Sequence, residues 1–152
     1  MSAVFVDTGG WMACGDRADP AHARCATARD RALEAGRTLI TTDFVVDETL
    51  TLMRFRLGVR AANAWWQQID GSRRLRWERV DSERFERARH LFFQYGDKDL
   101  SFTDCTSIAV MRELKLTTVI TTDRHFQQVG FDVLPTVDPH GTRKPRRQRE
   151  GR

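Results

Sequence analysis

Apolar positions follow two rhythms along this chain. Some fall in short unbroken runs; others recur every three or four residues over longer stretches. Ala3-Val4-Phe5-Val6 is an unbroken run, which marks a strand buried on both faces. Thr38–Thr41 and Thr118–Thr121 have the same character, and Val133-Leu134 makes a last, shorter strand. Leu75, Trp77 and Val80 sit in an Arg-rich segment that fits an edge strand. Helical spacing appears after Asp43, through Val45, Val46, Thr49, Leu50, Leu52, Met53 and Leu57. Gly58 interrupts it, and Ala61 to Ile69 supplies the second arm of a helical hairpin.

Three more helices follow from local signals. Pro20 to Ala35 starts with a first-turn proline and stops at Gly36. Asp81 or Ser82 caps a helix through Phe85, Ala88, Leu91 and Phe92, which Gly96 ends. Thr103 to Leu114 places Ile108, Ala109 and Met111 on its inner side, and Asp123 opens a short further helix. After the first strand, Thr8-Gly9-Gly10 breaks the chain. Short strands alternating with helices predict an α/β fold: one domain, with a mostly parallel central sheet and helices on both faces. Ligands of such sheets bind outside the carboxyl ends of the strands.

Composition changes this picture little, and charge changes it in one place. A chain of 152 residues with a hydrophobic fraction of 40% can bury one core. It has no apolar run near the ~18–20 residues that cross a bilayer and no signal-peptide pattern, so a cytosolic protein is expected. Cys14, Cys25 and Cys105 are an odd set without a C-x-x-C pair, which fits buried thiols better than disulfides or zinc. The net charge is +4, yet residues 139–152 alone hold six Lys or Arg against Glu150, leaving −1 for residues 1–138. We therefore expect a folded domain over 1–138 and a basic, disordered tail over 139–152. The tail fits either an arm for nucleic-acid phosphates or a solvated terminus.

Candidate chemistry gathers at the expected carboxyl edge. Asp7 directly follows the first strand and Asp123 follows the fourth. Asp104 lies at the start of the helix near Thr103, and Glu48 lies about one turn into the helix after the second strand. Each alone has a plainer reading. Asp104 and Asp123 fit helix caps, with Ser101 to Asp104 at capping-box spacing, and Glu48 fits a solvated helix position. Asp7 resists the cap reading, because two glycines make a poor helix start. Four carboxylates on one rim would repel each other, and a divalent cation removes that difficulty. With only oxygen ligands on offer, Mg²⁺ or Mn²⁺ is favoured over zinc, and an acid-lined Mg²⁺ site suits phosphoryl chemistry. The histidines at 22, 90, 125 and 140 accompany no nucleophile motif, and no G-x-x-x-x-G-K loop is present.

One phrase occurs twice, Leu39-Ile-Thr-Thr-Asp43 and Val119-Ile-Thr-Thr-Asp123. Both bring a Thr-Asp turn to the edge. Asp43 reads as the cap of the following helix, whose site acid is Glu48, while Asp123 reads as a site acid itself.

Four segments together, VFVDTGGW, TTDFVVDETLTLM, DKDLSFTDCTSIAVM and VITTDRHF, resemble the PIN-domain ribonucleases, in particular the VapC-type toxins of toxin–antitoxin pairs. The match runs in order from residue 3 to about residue 137. The resemblance implies a metal-dependent endoribonuclease that hydrolyses RNA phosphodiesters with Mg²⁺ (or Mn²⁺) held by Asp7, Glu48, Asp104 and Asp123. It places supporting hydroxyls at Thr8, Ser101 and Thr122 and a further rim acid at Asp99, and it favours Glu48 over its neighbour Asp47. No core acid is lost. It also implies a small VapB-like antitoxin as partner and a homodimer, for which Leu50, Met53, Phe55, Leu57, Trp65 and Trp66 of the hairpin offer apolar surface. The alternative is a non-catalytic RNA-binding protein that uses the Arg-rich surface and tail. A Mg²⁺ phosphatase or receiver-like domain would want an acid two residues after Asp7, where Gly9 stands.

Overall fold

Val4, Phe5 and Val6 are all shielded from solvent. Successive strand residues point to opposite faces, so the strand they form is covered on both sides. The computed structural model describes residues 2–136. Its elements run β1 (Ala3–Val6), α1 (Thr8–Gly15), α2 (His22–Glu34), β2 (Thr38–Thr42), α3 (Asp43–Leu57), α4 (Val59–Ile69) and β3 (Leu75–Glu78). They continue with α5 (Ser82–Gln94), α6 (Phe102–Glu113), β4 (Thr118–Ile120), α7 (His125–Gln128) and β5 (Asp132–Leu134). The strands form one sheet in the order β3-β2-β1-β4-β5, and every pairing is parallel. From β1 the chain builds outward to β2 and β3 on one side and to β4 and β5 on the other. The strand order therefore reverses between β1 and β4, and the crevice at that reversal is where such sheets bind ligands.

The helix α1 contradicts the expected chain break after Asp7. Thr8-Gly9-Gly10 is the first turn of a helix that packs against the end of β4 at very close range. A Cβ on Gly9 would lie 2.6 Å from the Thr122 hydroxyl, and one on Gly10 would lie 2.3 Å from the Ile120 carbonyl oxygen. The glycines permit backbone approach here, which outweighs their poor helix propensity. Behind them Trp11, Met12 and Ala13 are buried. The Trp11 ring meets Trp65 edge-on at 5.6 Å, and its indole N–H donates to Thr41 Oγ1 at 3.3 Å.

The helical hairpin forms as expected, with α3 and α4 joined at Gly58, whose φ of +93° suits glycine alone. Its apolar residues divide unequally between core and surface. Met53 and Trp65 are core residues, Trp66 packs edge-on against Trp77 at 5.6 Å, and Phe55 stands 81% exposed. The hairpin thus spends most of its expected contact surface inside the protein. Arg84 ties the far side together. Its guanidinium bonds Glu78 of β3, Glu113 of α6 and the Arg79 carbonyl. Cys25 and Cys105 are buried, Cys14 is half-buried, and all three are free thiols. Among the described residues no helix is long and apolar enough to cross a membrane. The basic tail and the boundary at residue 138 lie outside the described residues.

Candidate active site

The site starts from the pairing of β1 with β4. The Asp7 amide donates to the Ile120 carbonyl at 3.1 Å, so the first residue past β1 is held at the end of β4. Asp7 stands at the N-cap position of α1, yet its side chain makes no cap hydrogen bond. A helix does begin here, contrary to expectation, and Asp7 still does not serve as its cap. Instead Asp7 Oδ2 accepts a hydrogen bond from Thr121 Oγ1 at 3.0 Å. Asp7 Oδ1 is buried with no partner, as is Thr8 Oγ1. An unpaired carboxylate oxygen inside a protein is costly.

Asp104 and Glu48 act on Asp7, and Asp123 and Glu48 act on Asp104. Burial and then the negative charge of Asp104 push the Asp7 carboxyl up to about 7, with Glu48 adding to the rise. The Thr8 amide and the Thr121 hydroxyl pull the other way. Asp104 is raised by burial first, and Asp123 and Glu48 raise it further against the lowering bonds from Ser101. The topology therefore unites four acids spread from residue 7 to residue 123 in one electrostatic cluster. Among the described residues, no three His, Cys, Asp or Glu side chains are drawn together closely enough to chelate an ion as they stand. A cavity of about 500 Å³ lies elsewhere, between α2 and β5, with Ala28, Arg31 and Leu134 in its wall.

Each acid is set by a local device. Asp104 is both cap and site acid: its Oδ2 accepts from the Ser101 amide at 2.9 Å, and Ser101 Oγ accepts from the Asp104 amide at 3.0 Å. This capping box fixes the start of α6. Asp123 stands two residues before α7. Its Oδ1 accepts from the His125 amide at 2.9 Å and meets the His125 ring Nδ1 at 2.6 Å. Glu48 is half-buried on α3, whereas Asp47 is exposed.

Several expected residues play other parts. Thr42, not Asp43, caps α3, with its hydroxyl accepting from the Val45 amide at 3.1 Å. Asp43 instead accepts from the Val80 amide at 2.9 Å, which ties the chain after β3 to the start of α3. Thr122 is exposed and makes none of the site's hydrogen bonds. Its neighbour Thr121 makes them, donating to Asp7 and accepting from the Asp123 amide at 3.0 Å. Asp99 is exposed. Thr121 and His125 are the site residues that sequence reasoning passed over. A buried hydroxyl at a strand end and a histidine two residues past a site acid were the available signals.

Comparison with known proteins agrees with this geometry. The family model for the PIN domain matches residues 4–132. A protein of Mycobacterium tuberculosis named 23S rRNA-specific endonuclease VapC20 is 34% identical over 128 residues, 84% of this chain and 95% of the relative. Ribonuclease VapC26 of the same organism is 27% identical over 141 residues, 87% of this chain and all of the relative. Among solved structures, that of M. tuberculosis VapC20, described as a sarcin–ricin-loop-cleaving toxin, superposes with a TM-score of 0.76 at 31% identity over 85% of this chain and 96% of that one. The toxin–antitoxin complex VapBC from Salmonella typhimurium shares the fold alone, with a TM-score of 0.61 at 14% identity over 88% of this chain and 97% of the matched one. With its acids gathered at the carboxyl ends of β1 and β4, this chain belongs to the PIN-domain family, among its VapC proteins.

Proposed function

We propose that this chain is a metal-dependent endoribonuclease and the toxin of a VapBC-type pair. The observation that carries this reading is the buried, unpartnered Asp7 Oδ1 at the centre of four coupled carboxylates. All the donors are hard oxygens, which fits Mg²⁺ or Mn²⁺. Their open spacing also fits Mg²⁺, which keeps several of its waters. Asp7, Glu48, Asp104 and Asp123 would hold the ion. When bound, it supplies charge stabilisation for the phosphate and a more acidic water.

The chain's own residues supply the rest. Asp7, its carboxyl raised to about 7 by burial and by Asp104, favours the protonated form without an ion and would give up that proton to bind one. The Thr121 hydroxyl keeps Oδ2 of Asp7 occupied, so Oδ1 is the atom presented. The Ser101 amide orients Asp104 in the same way.

The relatives named for 23S ribosomal RNA and its sarcin–ricin loop make that RNA the first to test. A small VapB-like antitoxin is the expected partner, a homodimer the expected assembly and the cytosol the expected location. The test is cleavage of that RNA with Mg²⁺ or Mn²⁺, with excess EDTA, and by Asp7→Asn. Cleavage by wild type only in the presence of metal supports the reading. Equal cleavage by Asp7→Asn, or none by wild type with any metal on any RNA of a total extract, favours the non-catalytic RNA-binding alternative.

A further inference from the structure

The cavity of about 500 Å³ between α2 and β5 has a cationic wall. Arg24, Ala28 and Arg31 line it and recur every three or four residues, so they share one face of α2. Arg37, at the entry to β2, adds a third guanidinium, and Leu134 at the end of β5 completes the wall. No Asp or Glu lies in it. Among the described residues, none of the three arginines is paired with a carboxylate. Arg37 Nε is buried with no hydrogen-bond partner, while Arg24 and Arg31 are exposed. The wall therefore carries uncompensated positive charge that solvent can reach. By sequence, the chain after Thr136 keeps this sign, with six Lys or Arg against Asp138 and Glu150.

Charge of this kind suits an anion, and its layout favours a polymer. Arg24 and Arg31 stand seven residues apart on one helix face, roughly 10 Å along its axis. Guanidinium groups that far apart suit separate phosphates of one strand better than a single small anion, on which they would converge. The groove also adjoins the acids. β5 is the neighbour of β4, Leu134 is in register with Ile120, and the Leu134 carbonyl accepts from the Thr121 amide at 3.0 Å. Thr121 is the residue whose hydroxyl holds Asp7. A cluster of carboxylates repels a polyanion, so the attraction that brings one there must come from the surface beside them.

On the ribonuclease reading above, we propose that this groove is a second contact for RNA, in which Arg24 and Arg31 neutralise phosphates of the strand that is cut at the acids. The contact is made to the backbone, so it adds affinity for any RNA and carries no choice of sequence. It serves binding and takes no part in the chemistry. Loss of the arginines should therefore raise KM and leave kcat alone.

The test is binding of a labelled sarcin–ricin-loop oligonucleotide in excess EDTA, where no cleavage intervenes, over a series of salt concentrations. Wild type is compared with Arg24→Gln/Arg31→Gln, with Arg24→Lys/Arg31→Lys and with a control on α5, Arg87→Gln/Arg89→Gln, which removes the same charge outside the groove. The groove glutamine variant should bind about tenfold more weakly at low salt, and its slope of log affinity against log salt should fall by about 0.7–0.9 for each arginine. The lysine variant should keep the wild-type slope, because an ammonium also neutralises a phosphate, and the control should stay near it. With Mg²⁺ or Mn²⁺ added, the groove glutamine variant should show a KM about tenfold higher at unchanged kcat. Equal salt slopes in that variant and the control overturn the proposal, as does salt-independent binding by wild type. In either case the ribonuclease reading survives if wild type cleaves with metal. If the groove variant binds RNA like the control but alone loses binding to poly-glutamate, the groove serves an acidic protein partner instead. Wild type that neither binds nor cleaves RNA overturns both readings.

Discussion

The phrase Ile-Thr-Thr-Asp ends both β2 and β4, and the two copies are used differently. After β2, the second threonine caps a long helix, and the aspartate ties that helix to the chain after β3. After β4, the first threonine bridges two site acids, and the aspartate is itself one of them. The difference comes from position in the sheet. β4 lies on the far side of β1 from β2, at the reversal of strand order, and α1 presses two glycines against its end. Thr121 past the end of β4 therefore meets Asp7, whereas the corresponding Thr41 of β2 accepts from the Trp11 indole and donates to the Val6 carbonyl. The same local code produces a structural joint at one edge and an acid of the candidate active site at the other.

The largest effect should separate the two aspartates. Asp123→Asn should lower RNA cleavage about a thousandfold, ~4 kcal/mol of barrier, with little change in melting temperature. Asp43→Asn should leave cleavage within about twofold. Initial rates on a labelled oligonucleotide decide this, and equal losses from both would erase the functional difference between the turns.

Asp7 sharpens the comparison from the β1 side. Its carboxyl is raised from 3.8 to about 7, by burial first and by Asp104 next. A raised folded-state value favours the protonated form, so the associated stability is fully present below pH ~4 and is lost as pH rises through ~7. Without divalent ions, Asp7→Asn should therefore melt higher than wild type at pH 8. The gain is on the order of 4 kcal/mol at most, and it should fade toward pH 4. Added Mg²⁺ should stabilise wild type more than the variant. Urea melts at three pH values with and without Mg²⁺ check this, and a constant offset across pH would refute it.

Packing of α1 against β4 gives the next effect. Gly10→Ala would push a methyl into the Ile120 carbonyl and should cost roughly 1–3 kcal/mol, with cleavage falling as Asp7 shifts. The smallest effect belongs to the β2 turn. Thr42→Val removes the cap of α3 and should cost ~1 kcal/mol while each folded molecule still cleaves at close to the wild-type rate. A large specific-activity loss in Thr42→Val would mean that this turn also serves the chemistry.

The unbroken apolar runs and the three- to four-residue spacing were enough to place the strands, the hairpin and the long helices within a residue or two of where they lie. That success follows from burial, since a strand covered on both faces must be continuously apolar. The helix α1 was missed because propensity counts glycine as a breaker, and nothing local shows that another backbone passes 2.3 Å from where a Cβ would sit. The four acids were legible because strand ends and helix starts place them on one edge in any parallel α/β sheet. Their supports were legible only in part: Ser101 was, at capping-box spacing, whereas Thr121 and His125 were not. Thr121 and Thr122 are adjacent and chemically alike, and only the pairing of β1 with β4 decides which hydroxyl points at Asp7. Asp43 likewise looks like a cap until Val80 arrives from 37 residues away to use its carboxylate. The sequence by itself determined the elements, the sheet class and the acids at its rim, because those rest on local periodicity and on chain order. Only the tertiary structure decided which hydroxyl holds Asp7 and which donor uses Asp43, because Thr121 and Val80 reach them from distant parts of the chain.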